Sequence, residues 1–206
     1  MVLLRGRADR PPRRGTPADY LLVGLGNPGK EYERSRHNVG AEVVARLAAA
    51  HGATLKAGKE RALVAEIRIG DQRVALAFPT TFMNLSGEAV QQLVRRHGID
   101  DPAHIVVIHD ELDLPPGTVR VKLGGGLAGH NGLRSIVQHL KTNDFARIRI
   151  GVGKPPSKEH GADHVLRRIP KAERELLDES VIRATEAAEL LVERGIETAM
   201  QSYNRS

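Results

Sequence analysis

The 206-residue chain has no cysteine and no tryptophan. Without cysteine there is no disulfide, no thiolate nucleophile and no cysteine-ligated zinc, so nothing points to an oxidising compartment. Three phenylalanines and three tyrosines leave few ring faces on which nucleic-acid bases could stack. No apolar run approaches the roughly 20 residues of a membrane helix, and Met1-Val2-Leu3-Leu4 is too short for a signal-peptide core. A cytoplasmic location and no membrane partner are therefore expected. What the chain does have is 40% apolar residues, enough for one sizeable core in a length that favours one domain over two.

The net charge of +6 is unevenly distributed. Residues 1–18 hold five arginines against one acid, Asp9, with proline and little to bury, and are expected to be a disordered basic tail ahead of a domain over 19–206. Residues 118–168 hold ten Lys/Arg against three acids, a local +7, while 169–206 hold five against eight. Such concentration suits a polyanionic partner, although a solvated basic face needs no partner at all.

Apolar periodicity suggests an alternation of strands and helices. Tyr20 to Leu25 reads as a buried strand, and Val43 to Ala50 as a helix closed by Gly52. Ala62 to Ile69 and Arg73 to Phe78 read as a hairpin turning at Gly70-Asp71-Gln72. Gly87 to His97 is helical. Ile105 to Ile108, a continuous β-branched run, suits a central strand covered on both faces and delivers His109 and Asp110 at its end. Thr118 to Lys122 reads as a strand, Leu133 to Leu140 as a helix, Phe145 to Ile150 as an alternating strand, and Lys171 to about Arg194 as a long helix. The expected fold is a single α/β domain with a mixed, mainly parallel twisted sheet flanked by helices.

Gly24-Leu25-Gly26-Asn27-Pro28-Gly29 satisfies the G-x-G-x-x-G pattern of dinucleotide-binding folds. That fold also needs an apolar-faced helix directly after the glycines and an acid ending the next strand. Here Lys30 to His37 is polar, and the next strand waits until Ala62. Dinucleotide binding is therefore not expected, and the motif reads as a tight turn at a strand end, Asn27-Pro28-Gly29, with Gly29 supplying positive φ. His37 lies in a polar segment just before a helix. A carboxylate at the end of a strand, such as Asp110, could hold its imidazole in one tautomer and make a water-activating dyad. Asn84 either caps the helix from Gly87 or faces a ligand. Gly124 to Gly132 leads into a helix and could offer backbone N–H groups to an anion, but it lacks the Lys-Ser/Thr pair of a P-loop. The pairs His109/His130 and His160/His164 invite a metal reading, yet there is no H-E-x-x-H, and neither a metal nor another cofactor is expected.

Tyr32-x-x-Ser35-Arg36-His37-Asn38-x-Gly40 and Gly126-x-x-x-His130-Asn131-Gly132-Leu133-Arg134-Ser135-Ile136 resemble the two signatures of the bacterial peptidyl-tRNA hydrolase family. Gly24 to Gly29, Pro79 to Gly87 and His109 to Gly117 resemble further blocks of that family in the same order, so the resemblance spans about 20–203. Ser35 stands where the family usually has threonine, Ala45 where it usually has an acid, and Leu127-Ala128 where small or polar residues are usual. The last departure bears on the loop that gates the site.

The resemblance implies hydrolysis of the ester between a peptide and the terminal ribose of tRNA, recycling tRNA from aborted translation. It further implies His37 as general base oriented by Asp110, Asn27 positioning peptide or water, and Tyr32, Met83, Asn84, His130 and Asn131 against the substrate. Lys122 and Arg149 resemble phosphate-contacting positions. The chain is expected to act as a monomer. The alternative is a non-catalytic RNA- and protein-binding relative, of the kind that assists intron splicing in organelles.

Overall fold

In a computed structural model of the chain, residues 16–155, 157 and 161–205 are described. In chain order the elements are β1 (Tyr20–Gly24), α1 (Val39–Ala50), β2 (Lys56–Ala57), β3 (Ala62–Ile69), β4 (Gln72–Pro79), α2 (Ser86–His97), β5 (Ile105–Glu111), β6 (Val119–Leu123), α3 (Asn131–Leu140), β7 (Ala146–Gly151), α4 (Gly161–Leu166), α5 (Lys171–Arg194) and α6 (Ile196–Tyr203). The seven strands form one sheet in the order β2-β3-β4-β1-β5-β7-β6. Its centre, β4-β1-β5-β7, is parallel, and the outer strands β3, β2 and β6 join antiparallel. The mixed sheet with a parallel middle is the architecture expected from the sequence.

The period of two along each strand divides the core between the two faces. Leu22, Val106, Ile108, Ile148 and Ile150 meet Val43, Val44 and Leu47 of α1 and Leu177, Ala184 and Leu191 of α5. Leu21, Val23 and Val107 meet Val90 and Leu93 of α2 and Leu133 and Ile136 of α3 on the other side. All seven residues of β5 are buried, which is why its run is apolar without alternation.

Two glycines set how closely the first helix sits on the sheet. A Cβ on Gly24 would lie 2.1 Å from the Gly40 carbonyl oxygen, and a Cβ on Gly40 would lie 2.1 Å from that of Ile108. With neither present, Leu25 N–H donates to the Ile108 oxygen at 3.0 Å and Ala41 N–H to the Leu25 oxygen at 3.0 Å. The first turn of α1 is thereby pinned over the carboxyl ends of β1 and β5. This is where parallel sheets expose strand-end side chains to a ligand.

After Gly29, whose φ of 117° bears out the turn reading, the chain makes 3-10 turns at Lys30–Tyr32 and Arg36–Asn38 instead of a long helix. The hairpin closes more tightly than expected: Ile69 pairs with Gln72, leaving Gly70-Asp71 as the loop. α1 begins at Val39 rather than Val43, α2 at Ser86 rather than Gly87, and α3 at Asn131 rather than Leu133. β2, α4 and α6 were not anticipated, being too short or too polar to carry a periodic signal. Of the tail expected over 1–18, residues 16–18 are described: Ala18 N–H donates to the His97 carbonyl at 3.1 Å, and Thr16 O lies 2.9 Å from His97 Nδ1. Residues 1–15 and His160 lie outside the described residues.

Candidate active site

Above the ends of β1 and β5, three side chains converge in one cluster around a carboxylate. Asp110, buried at the end of β5, has Oδ1 at 2.9 Å and Oδ2 at 3.0 Å from His37 Nδ1, and Oδ1 also lies 2.9 Å from His130 Nε2. The hydrogen-bond pattern assigns each imidazole tautomer. His130 caps the N-terminus of α3, where its Nδ1 accepts from Gly132 N–H (3.1 Å) and Leu133 N–H (3.4 Å). The hydrogen is therefore on Nε2, which donates to Asp110. His37 Nδ1 faces only carboxylate oxygens, so it too is the donor, and its Nε2 keeps a lone pair. The two rings lie 5.1 Å apart, centroid to centroid.

Electrostatics follow from this geometry. Burial would raise the Asp110 carboxyl, but the His37 and His130 contacts outweigh it and hold the group well below the usual carboxylate range. Burial opposes charge on His37, yet the Asp110 charge and the bond to it win, so its pKa is raised. His109, fully enclosed and edge-on to His130 with centroids 4.9 Å apart, is pushed down to about 3 by burial and then by His130. Its Nδ1 donates to the Asp110 carbonyl at 2.7 Å, and its buried Nε2 has no partner among the described residues. It is a neutral ring behind the cluster.

A cleft of about 210 Å³ opens on the group, lined by His37, Asp110, Glu111, His130, Asn131 and, across the gap, Val165 of α4. The side chain of His37 is only 12% exposed where it lines this cleft. Beside it, Asn27 is clasped by Asn38: Asn27 N–H donates to Asn38 Oδ1 (2.8 Å), and Asn38 Nδ2 donates to the Asn27 carbonyl (2.9 Å). Asn27 Oδ1 accepts from Met83 N–H at 2.8 Å, which fixes the amide's orientation and leaves Nδ2 as its donor. Met83 in turn lies against Gly132, where a Cβ would be 2.5 Å from its sulfur.

The expected site residues are thus only partly brought together. His37, Asp110 and His130 form one hydrogen-bonded group, Asn131 lines the same cleft, and Asn27 and Met83 are bonded to each other. Asn84 is exposed on the 3-10 turn Met83–Leu85 and does not cap α2, whose N-cap is Leu85 with no side-chain bond. Tyr32 is half-buried on its own 3-10 turn, and among the described residues no hydrogen bond joins it to the cluster. Lys122 and Arg149 lie on β6 and β7, outside the cleft, with Arg149 Nη1 3.9 Å from Glu111.

Several residues of the site escaped the sequence reading. Asn38 and Arg36 were visible only as members of a motif. Arg36 is buried, with its Nε and Nη2 on the Glu173 carboxylate (both 2.6 Å) and its Nη1 on the His164 carbonyl (2.8 Å). Arg147 alternates with isoleucines, a pattern that predicts a solvent-facing side chain, yet it is 1% exposed. His37, Asp110 and His130 also have the make-up of a metal site, with ligand atoms within 4.8 Å of one another. Ligation through His130 Nε2, however, would require the hydrogen on Nδ1, where two backbone N–H groups already point.

An imidazole held by a buried carboxylate on the wall of a small cleft, with no thiol or hydroxyl nucleophile bonded to it among the described residues, is an arrangement suited to activating water. The peptidyl-tRNA hydrolase family model matches residues 21–206. The chain is 48% identical to a peptidyl-tRNA hydrolase of Pseudarthrobacter chlorophenolicus, the match covering 90% of this chain and 95% of that one. It is likewise 48% identical to one from Anaeromyxobacter, over 90% and 96% of the two chains. The crystal structure of peptidyl-tRNA hydrolase from Acinetobacter baumannii superposes with a TM-score of 0.86 at 42% identity, over 92% of this chain and 97% of that one. With a family match from β1 to the last residue and relatives nearly half identical over nine tenths of its length, the chain belongs to the peptidyl-tRNA hydrolase family.

Proposed function

We propose that the chain hydrolyses the ester joining the peptide to the terminal ribose of peptidyl-tRNA, returning free tRNA to translation, and that His37 is the general base. The observation that carries this reading is the Asp110–His37 contact at 2.9 Å and 3.0 Å, which orients a free Nε2 toward the cleft. In the first step water attacks the ester carbonyl while its proton passes to Nε2, and the positive ring is stabilised by Asp110. The tetrahedral oxyanion takes a hydrogen bond from Asn27 Nδ2. It then collapses, the carbon–oxygen bond to ribose breaks, and the ribose oxygen recovers the proton from His37. The peptide acid gives its remaining proton to solvent and leaves as a carboxylate, the tRNA leaves with its hydroxyl, and only water is consumed.

Asn131, exposed on the cleft wall, and Asn84, exposed on the turn that carries Met83, are suited to hold peptide and ribose because an amide donates and accepts without a buried charge. Tyr32 and Met83 complete the substrate side in this reading. Lys122 and Arg149 hold phosphates further along the acceptor end. The chain acts as a monomer in the cytoplasm, where its substrate is made. A relative that only binds RNA has no use for the buried Asp110 with an imidazole on each side.

His37→Ala decides the matter. Turnover of an N-blocked aminoacyl-tRNA should fall by roughly 10²–10⁴, the contribution of a positioned acid–base group, with tRNA binding retained. Turnover within a few fold of wild type would refute the general-base role.

A further inference from the structure

Arg147 stands out because its burial costs stability and no step above uses it. Its guanidinium lies beneath the glycine-rich loop Gly124–Gly129, where Nη1 donates to the Gly126 carbonyl at 2.6 Å and Nη2 to the Gly125 carbonyl at 2.8 Å. Its Nε has no partner among the described residues, and the Phe145 ring lies 5.0 Å from its centre. A buried cation held by carbonyls alone recovers less of its desolvation cost than one held by a carboxylate, and an apolar side chain of similar volume is often at least as stable. The fold does not need this arginine for its core.

Its hydrogen bonds go to the loop instead. Gly124 and Gly125 have φ of 63° and 89°, an intrinsically loose conformation that only a fixed set of partners can hold. Arg147 supplies the two shortest of these at the loop's first half, beside Asn143 Nδ2 on the Gly125 carbonyl at 3.3 Å and the Gly124 N–H on the Phe145 carbonyl at 3.1 Å. The second half rejoins the fold at His130, whose N–H donates to the Leu127 carbonyl at 2.9 Å and whose ring bonds Asp110. Lys122 is the direct cross-strand partner of Arg147 in the β6–β7 register. Two cations so placed repel, and both meet the loop at Gly125: Arg147 donates to its carbonyl, while the Lys122 ammonium lies 2.4 Å from where a Cβ on it would stand.

We propose that Arg147 is a positioning residue which, by fixing the Gly125 and Gly126 carbonyls, holds Lys122 at the phosphate side and His130–Asn131 at the ester side in one register. The inference rests on the reading of the substrate given above. It assigns Arg147 no contact with substrate, and it separates the loop into an anchored start and an exposed crest, Ala128-Gly129.

Arg147→Met and Arg147→Lys in the full chain test this. Three readouts are needed: melting temperature, amide hydrogen exchange over 125–130, and KM and kcat for an N-blocked aminoacyl-tRNA. The methionine variant should melt close to wild type, exchange the loop amides faster, and raise KM by about 10- to 100-fold, the scale of one hydrogen bond to a charged group, with kcat little changed. The lysine variant should recover part of the KM. An unchanged KM with unchanged loop exchange overturns the proposal, as does a loss confined to kcat. If the methionine variant does not fold, the lysine variant decides by the same readouts, a wild-type KM overturning the proposal. Failure of the wild-type chain to cleave the ester would overturn the functional reading instead, and loop exchange would still test the anchoring.

Discussion

At the scale of single residues, Asp110 is the group on which the cluster turns. Its two oxygens accept from His37 and His130, and both imidazoles present N–H. Asparagine offers one acceptor and one donor at the same place, so it cannot satisfy both rings without forcing one into the wrong tautomer. Asp110→Asn should therefore lower kcat by roughly 10²–10⁴ while tRNA binding persists. The pH profile should move as well. His37 has a raised pKa because of the Asp110 charge, and a base works only when unprotonated, so the acidic limb of kcat/KM should lie above the ordinary histidine value. Removing the charge lets burial dominate and shifts that limb to lower pH; a limb that stays in place would separate His37 from Asp110. The dyad was legible in the sequence because a carboxylate ending a buried strand is a recognisable position. His109 was not, since nothing in the pattern distinguishes a ring that packs behind the cluster from one that enters it.

At the scale of elements, the site depends on how α1 meets the sheet. The strand and helix runs around Leu22, Val44 and Val107 were readable from periodicity alone, whereas the close approaches at the glycines between them link residues distant in the chain and leave no periodic trace. Gly40 allows the helix to reach the Ile108 carbonyl, and a methyl there meets backbone on the strand below. Gly40→Ala should cost about 1–3 kcal/mol, as overpacking of a tight interior does. For a chain of this size that corresponds to a fall in melting temperature of roughly 2–4 °C per kcal/mol, measurable by calorimetry, with activity falling further than stability because His37 lies on the 3-10 turn that leads into α1. A variant as stable and active as wild type would show that α1 can lift without disturbing the base. The short strand β2 and the helix α4 have no buried residue, so neither leaves an apolar pattern to read.

At the scale of the whole molecule, the local +7 of residues 118–168 was legible as a concentration of charge but not as a surface. Arg147 is withdrawn beneath the glycine loop, and Arg149 is drawn toward Glu111, so the cationic face is smaller than the count implies. Lys122→Ala combined with Arg149→Ala should raise KM and reduce the salt dependence of binding by about 0.7–0.9 for each phosphate that is no longer neutralised, read from the slope of log K against log salt. An unaltered slope would remove both from the interface. The base, for its part, is held from both sides of its own chain: Arg36 is committed to Glu173 and the His164 carbonyl, and Asn38 to both backbone groups of Asn27. An imidazole so bracketed surrenders almost no freedom when the reaction begins, because its ordering was completed during folding. Loosening either neighbour should therefore register first in the activation entropy of hydrolysis, with the activation enthalpy left nearly where it was.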